Sequence, residues 1–202
     1  MKKLTLLYVE EVRSSLSQKV LSRKDVNVVL LRFKQSMFFD EQYLEQTSKT
    51  PCFVFDKKNT VKKEVNKFKN FCSKKNIVVD YFYNDSEYNQ ELVQEFASLL
   101  NLSGSLNKMQ ALCVRDKAVM KDKIQEIGYR TMAYEEVSSV DDVSLFAKKC
   151  GGFPVIVKWR RGLSSKEVYK VKNIKQLEKL KLDFSTSRYI VEEYCPHLIW
   201  CV

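Results

Sequence analysis

Apolar residues along this chain fall into two rhythms. Leu4-Thr5-Leu6-Leu7-Tyr8-Val9, Val26-Asn27-Val28-Val29-Leu30-Leu31-Arg32, Pro51-Cys52-Phe53-Val54-Phe55 and Ile77-Val78-Val79-Asp80-Tyr81-Phe82 are short β-branched or aromatic runs. Each predicts a strand. Between them, residues 12–22 predict a helix. A second helix is predicted over Val61–Lys75, where Val61, Val65, Phe68 and Phe71 recur at helical spacing with lysines on the other face. Alternating strands and helices predict an open α/β sheet with parallel pairing over residues 1–85.

The pattern then changes. Glu91–Leu100 predicts a helix, and Asn101-Leu102-Ser103-Gly104-Ser105 a turn. One long helical region follows, with Met109, Leu112, Cys113, Val119, Met120, Ile124 and Ile127 roughly on one face and Gly128 as terminator. Ser139 with Asp142 forms a capping signature for a helix over Val140–Cys150, and Gly151 supplies its left-handed end. Strands are predicted at Val155–Lys158, Glu167–Val171 and Tyr189–Tyr194, with a helix capped by Asn173 before the last. Helix, hairpin, helix and strand make a small α+β unit. The boundary is expected near Asn101–Asn107, giving domains over 1–100 and 107–202.

Composition excludes several classes. Of 202 residues, 45% are apolar and 12% aromatic, which is globular and not disordered. Glycine (5) and proline (3) are too few for low-complexity linkers. No apolar run approaches a bilayer span. The apolar stretch after Met1-Lys2-Lys3 ends at once in Glu10-Glu11, and no small-residue cleavage site follows, so a cytoplasmic protein is expected. Six cysteines without a C-x-x-C pair are expected to be reduced, largely buried thiols. Cys195, His197 and Cys201 are soft ligands close together, but their spacing fits no common zinc pattern and no fourth ligand is evident.

Net charge is +10, unevenly placed. Lys148–Lys181 carries 11 basic and 2 acidic residues, and Lys57–Lys75 carries 8 and 1. Such patches fit nucleic acid, an anionic membrane or a bound polyanion. The Lys57–Lys75 stretch reads as a solvated helix face. No recognition helix, zinc finger or RNP-type signature points to nucleic acid.

The most informative segment runs from Gly151-Gly152-Phe153-Pro154 through Val155-Ile156-Val157-Lys158 to Arg160, Arg161 and Gly162-Leu163-Ser164-Ser165. It is a buried strand with a cation at its exit and a small-residue turn beyond. An ammonium neutralises phosphate charge there, and turn N–H groups complete the cradle.

Four segments in order resemble the ATP-grasp superfamily of carboxylate–amine or carboxylate–thiol ligases. Leu99–Gly104 with Arg115-Asp116-Lys117-Ala118-Val119-Met120 resembles its glycine turn and D-K-x-x-M helix. Ile124–Tyr129 resembles its L-x-x-x-G-[IV] segment, and Gly151–Lys158 its G-[YF]-P-[VL]-[VI]-[VI]-K strand. Tyr189-Ile190-Val191-Glu192-Glu193-Tyr194-Cys195 resembles its adenine hinge. The resemblance covers about residues 90–195. It implies that Lys117 and Lys158 contact phosphates and that Gly162, Ser164 and Ser165 belong to the phosphate flap. It further implies that Glu192 sits by the exocyclic amine, with the Glu193 carbonyl and the Cys195 N–H reading the base. The implied ligands are ATP and Mg2+, and the implied substrates an unidentified carboxylate and an unidentified amine or thiol.

The chain also departs from the family. Trp159 replaces a proline, and Ser164 and Glu167 replace flap glycines, with Arg160, Arg161 and Lys166 as candidate compensating charges. The residues from Pro196 to Val202 look unlike the family, and its metal and acceptor residues are missing, as in a truncated chain. Two function classes follow: an ATP-grasp ligase or its ATP-binding half, and an incomplete remnant serving as a binding module. Tyr189–Tyr194 is expected to lie at an open sheet edge that invites oligomers.

Overall fold

A computed structural model of the chain describes residues 3–12, 14–35, 39–163, 167–184, 186 and 188–196. It divides into two compact units, Met1–Ala111 and Leu112–Val202.

The first unit is a parallel sheet. Strands β1 (Leu4–Val9), β2 (Val26–Phe33), β3 (Cys52–Phe55) and β4 (Tyr81–Asn84) lie in the order β3-β2-β1-β4, all pairs parallel. Helices α1 (Ser15–Ser22), α2 (Glu41–Gln46), α3 (Val61–Lys75) and α4 (Gln90–Leu99) alternate with them. Ser14 caps α1 through a reciprocal bond with Ser17, so that helix begins three residues later than its apolar pattern suggested. Helix α3 matches its predicted span. It buries Val65 and Phe68, which pack with Phe53, Phe55 and Phe96 in the core.

The fourth strand corrects the sequence reading. Ile77–Asp80 is not strand; β4 starts at Tyr81. Asp80 holds the lead-in instead: its carboxylate accepts from the Thr5 N–H at 2.7 Å, and its own N–H donates to the Thr5 carbonyl at 2.9 Å. Ile77 and Val79 still pack on the core, which explains their apolar character. A buried ion pair was not foreseen. Arg32 donates from Nε and Nη2 to Glu10 at 2.9 and 2.7 Å, and Tyr43 donates to the same carboxylate. Thr47 accepts a further bond from Arg32, so every member of this network is satisfied by structural partners.

The second unit is antiparallel. Strands β5 (Tyr134–Val137), β6 (Val155–Trp159), β7 (Val168–Val171) and β8 (Tyr189–Glu193) lie in the order β5-β8-β6-β7. Helices α7 (Val140–Lys149) and α8 (Ile174–Lys179) cover one face. Ser139 caps α7 and Asn173 caps α8, as their sequences predict, and Gly151 follows α7 in the left-handed region. The Phe153–Pro154 peptide is cis.

Two expectations fail here. The long helix of residues 109–127 is two helices, α5 (Lys108–Arg115) and α6 (Lys117–Glu126). Asp116 breaks it with extended backbone and caps α6, accepting from the Ala118 and Val119 N–H groups. The strand Tyr189–Glu193 is not an edge. It pairs with β5 on one side and β6 on the other, which removes the basis for association through it. In this unit the sequence reading lacked β5, too short and too charged (Tyr-Glu-Glu-Val) to stand out by periodicity, and in the first unit it lacked α2. No helix among the described residues is long and apolar enough to cross a membrane.

Candidate functional site

The second sheet has two chemically distinct faces. Val155, Val157, Val171, Tyr189 and Val191 point to the core beneath α7 and α8. The pleat sends the intervening residues to the other side. By register, Ile156 lies opposite Glu192, Lys158 opposite Ile190, and Tyr134 opposite Glu192. One face therefore carries Tyr134, Glu192 and Lys158 in adjacent strands, and it is the face where α6 contributes Lys121.

Glu192 is the centre of this face. Its side chain is 3% exposed. Lys158 Nζ lies 2.7 Å from Oε2, a diagonal contact between neighbouring strands. Lys121 Nζ lies 3.3 Å from Oε1, with the Tyr134 ring 5.4 Å from the same ammonium. The Lys121 contact is an ion pair without hydrogen-bond alignment, so Oε1 has no hydrogen-bond partner among the described residues. A buried carboxylate oxygen left in that state is an acceptor waiting for a donor. Lys121 was not identified from sequence. Its only signal was its place one helical turn after Lys117.

Helix α6 also grips the turn after β6. The Lys117 N–H donates to the Arg160 carbonyl at 3.0 Å, and Lys117 Nζ donates to the Gly162 carbonyl at 2.7 Å. Arg115 Nη2 donates to the Arg161 carbonyl at 3.0 Å. Lys117 and Gly162, matched to the phosphate helix and the flap, are thus in direct contact. Ser164, Ser165 and Lys166 lie outside the described residues, as do His197 and Cys201.

Asp116 organises the cations beside it. Arg160 donates to its carboxylate at 3.0 Å and also reaches Glu136, while Arg161 lies 3.5 Å from the same carboxylate. Burial alone would raise the Asp116 pKa. The bond and charge of Arg160, with the Val119 and Ala118 amides, outweigh burial and hold the carboxyl below the usual carboxylate range. Arg160 is therefore committed to protein carboxylates, and does not stand as a spare charge for the turn.

At the far side of the turn, Glu167 has φ +55°, the left-handed conformation that glycine adopts freely. This is the position where a flap glycine was expected. Its Oε1 lies 3.5 Å from Arg188, and its Oε2 is buried without a hydrogen-bond partner among the described residues. In the segment matched to the adenine hinge, the Glu193 N–H donates to the Ala133 carbonyl at 2.9 Å. Tyr194 sits 3.7 Å under the Lys170 ammonium. The Cys195 N–H has no protein partner among the described residues. Beyond this face, a cavity of about 600 Å³ opens beside β5, lined by residues that include Asp122, Tyr134, Glu135 and Cys150. Of the residues in the four motif segments only Gln125 lines it, and none of the candidate phosphate or adenine residues does.

No family model matches the chain, and no curated protein matches it by sequence. Solved structures do match. An L-amino acid ligase from Bacillus licheniformis superposes with TM-score 0.69 at 16% identity, over 96% of this chain and 45% of that one. The N5-carboxyaminoimidazole synthetase from Staphylococcus aureus, complexed with ADP, gives 0.67 at 17% identity, over 96% and 48%. The biotin carboxylase domain of the Hydrogenobacter thermophilus 2-oxoglutarate carboxylase, complexed with MgADP and bicarbonate, gives 0.65 at 14%, over 97% and 45%. The fold is that of the ATP-grasp ligases. At such identities the likeness is one of fold, and the chain spans less than half the length of these ATP-grasp proteins. The parallel unit followed by the antiparallel unit matches the architecture expected from sequence.

Proposed function

We propose that the second unit binds ATP on the face built around Glu192, and that the chain supplies the nucleotide-binding portion of a carboxylate ligase. One observation carries the reading. Glu192 is buried, is flanked by two ammonium groups, and among the described residues keeps one oxygen without a hydrogen-bond donor. Three residues later, the Cys195 N–H has no acceptor among the described residues. An acceptor and a donor at that spacing, next to a strand-end lysine, suit an aminopurine carrying a polyphosphate. Two of the fold's neighbours are complexes with ADP, which supports the same ligand here.

In this reading Lys158 leaves the Glu192 carboxylate to meet phosphate oxygens, and Lys117 and the turn from Gly162 through Ser165 close on the phosphates. Glu192 accepts from the exocyclic amine, the Glu193 carbonyl shares that amine, and the Cys195 N–H donates to the ring. A substrate carboxylate oxygen then attacks the γ-phosphorus and ADP leaves. An amine or thiol takes the acyl group and releases phosphate. The protein's contribution is positioning and charge stabilisation. Magnesium is the metal that the resemblance implies. Among the described residues no group of three or more His, Cys, Asp or Glu side chains is arranged to hold a metal ion, so no step is assigned to it.

Titration calorimetry with ATP and magnesium tests the binding, and saturable heat is expected. ADP release in the presence of carboxylate and amine pools tests the ligase activity. The second reading, a binding module, draws on Glu167, which stands in a left-handed position where a flap glycine would let backbone approach phosphate. ATP binding without ADP release would favour it.

A further inference from the structure

Glu192 meets two lysines, and they stand in different places. Lys158 is the penultimate residue of β6, shortly before the turn that starts the candidate flap. Lys121 lies within α6, one helical turn past Lys117, with its ammonium 5.4 Å from the centre of the Tyr134 ring. Their side chains are 15% and 10% exposed. Among the described residues, Glu192 is the only carboxylate within 4.0 Å of either ammonium. The buried group thus holds one more positive than negative charge. Such an excess is costly away from water and favours arrival of an anion.

An arriving phosphate competes for the more accessible cation, Lys158. Glu192 then loses its shorter contact, and a carboxylate left alone in an apolar setting turns toward any remaining cation. Lys121 is that cation. We infer that Lys121 is a positioning residue: it holds the Glu192 carboxylate toward the base while Lys158 serves the phosphates, and so sets the preference for a base bearing an exocyclic amine. The inference rests on the ATP reading above. It divides the two lysines by task, one for the phosphate end and one, acting through Glu192, for the base.

The test compares dissociation constants of ATP, GTP and inorganic tripolyphosphate for wild type, Lys121→Met, Lys121→Arg and Lys158→Met, by titration calorimetry on the full chain. Lys121→Met is expected to lose roughly tenfold or more in ATP affinity, the worth of one hydrogen bond to a charged group. Its tripolyphosphate affinity should hold, so its ATP-to-GTP ratio collapses. Lys121→Arg should restore the ratio. Lys158→Met should weaken ATP and tripolyphosphate together. Thermal melts identify any variant that fails to fold, and Lys121→Gln then replaces Lys121→Met with the same expectations. An unchanged ATP-to-GTP ratio in Lys121→Met, or parallel loss of ATP and tripolyphosphate, would overturn the inference while leaving ATP binding intact. Wild-type protein that binds no ATP would remove the nucleotide reading itself, and this inference with it.

Discussion

Lys158 and Glu192 face each other across the β6–β8 pair with 2.7 Å between ammonium and carboxylate, although 33 residues of chain separate them. The contact follows from the pleat. Lys158 is paired with Ile190 and Ile156 with Glu192, so both charged groups emerge on the face opposite the core. It joins the two motifs that the sequence could only place in order.

Replacing Lys158 by methionine keeps the volume and removes the charge. ATP affinity should fall by about 1–3 kcal/mol, the range for a charge-assisted contact. Calorimetry measures this directly. An affinity equal to wild type would make Lys158 a strand-end cation with no ligand role.

Glu167→Gly should stabilise the protein. A left-handed residue with a side chain costs roughly 1–2 kcal/mol, against roughly 0.5–1 kcal/mol for the extra freedom of glycine in the unfolded chain. The change also removes a buried oxygen that has no partner among the described residues, at the loss of a 3.5 Å contact with Arg188. Urea denaturation should show a gain of up to about 1 kcal/mol. A loss of stability would mean that the Arg188 contact outweighs the strain.

Asp116 makes the second unit sensitive to acid. Its folded pKa is depressed, with Arg160 and the α6 amides overcoming the effect of burial. A depressed carboxylate stabilises above its unfolded value, and that contribution disappears as pH falls through the lower folded value. Asp116→Asn keeps a good helix cap and removes the charge. Wild type should be the more stable near neutrality, and the difference should shrink below about pH 4. Denaturation curves collected from neutral pH downward check this. A difference that stays constant with pH would show that the charge of Asp116 contributes nothing.

Gly104 tests the first unit. It has φ +87°, and a Cβ there would lie 2.5 Å from the Phe82 carbonyl oxygen. That carbonyl belongs to β4, and the Phe82 N–H donates to Ser103 at 2.8 Å, so the turn cannot retreat without losing the bond. Gly104→Ala should cost more than about 1 kcal/mol. A thermal melt unchanged from wild type would contradict the close approach.

What sequence alone determined were features carried by neighbours in the chain. The span of α3, the caps of α7 and α8, the left-handed Gly151 and the apolar strands all follow from periodicity and capping over a few residues. The order of motifs also indicated the fold that the solved structures share. Glu167, read as standing where the resemblance expects a glycine, has a left-handed backbone, a property of local conformation. Tertiary structure decided what depends on partners far along the chain. Asp116 splits a helix because its carboxylate answers to Arg160, 44 residues away, as well as to its own N-terminal amides. The short, polar β5 exists because β8 offers it a ladder, and so the strand read as an open edge became an interior one. Lys121 looked like any helical lysine until the fold brought it to Glu192. A charge gains meaning from its neighbours in space, and hydrophobic periodicity records only which side of an element faces the core.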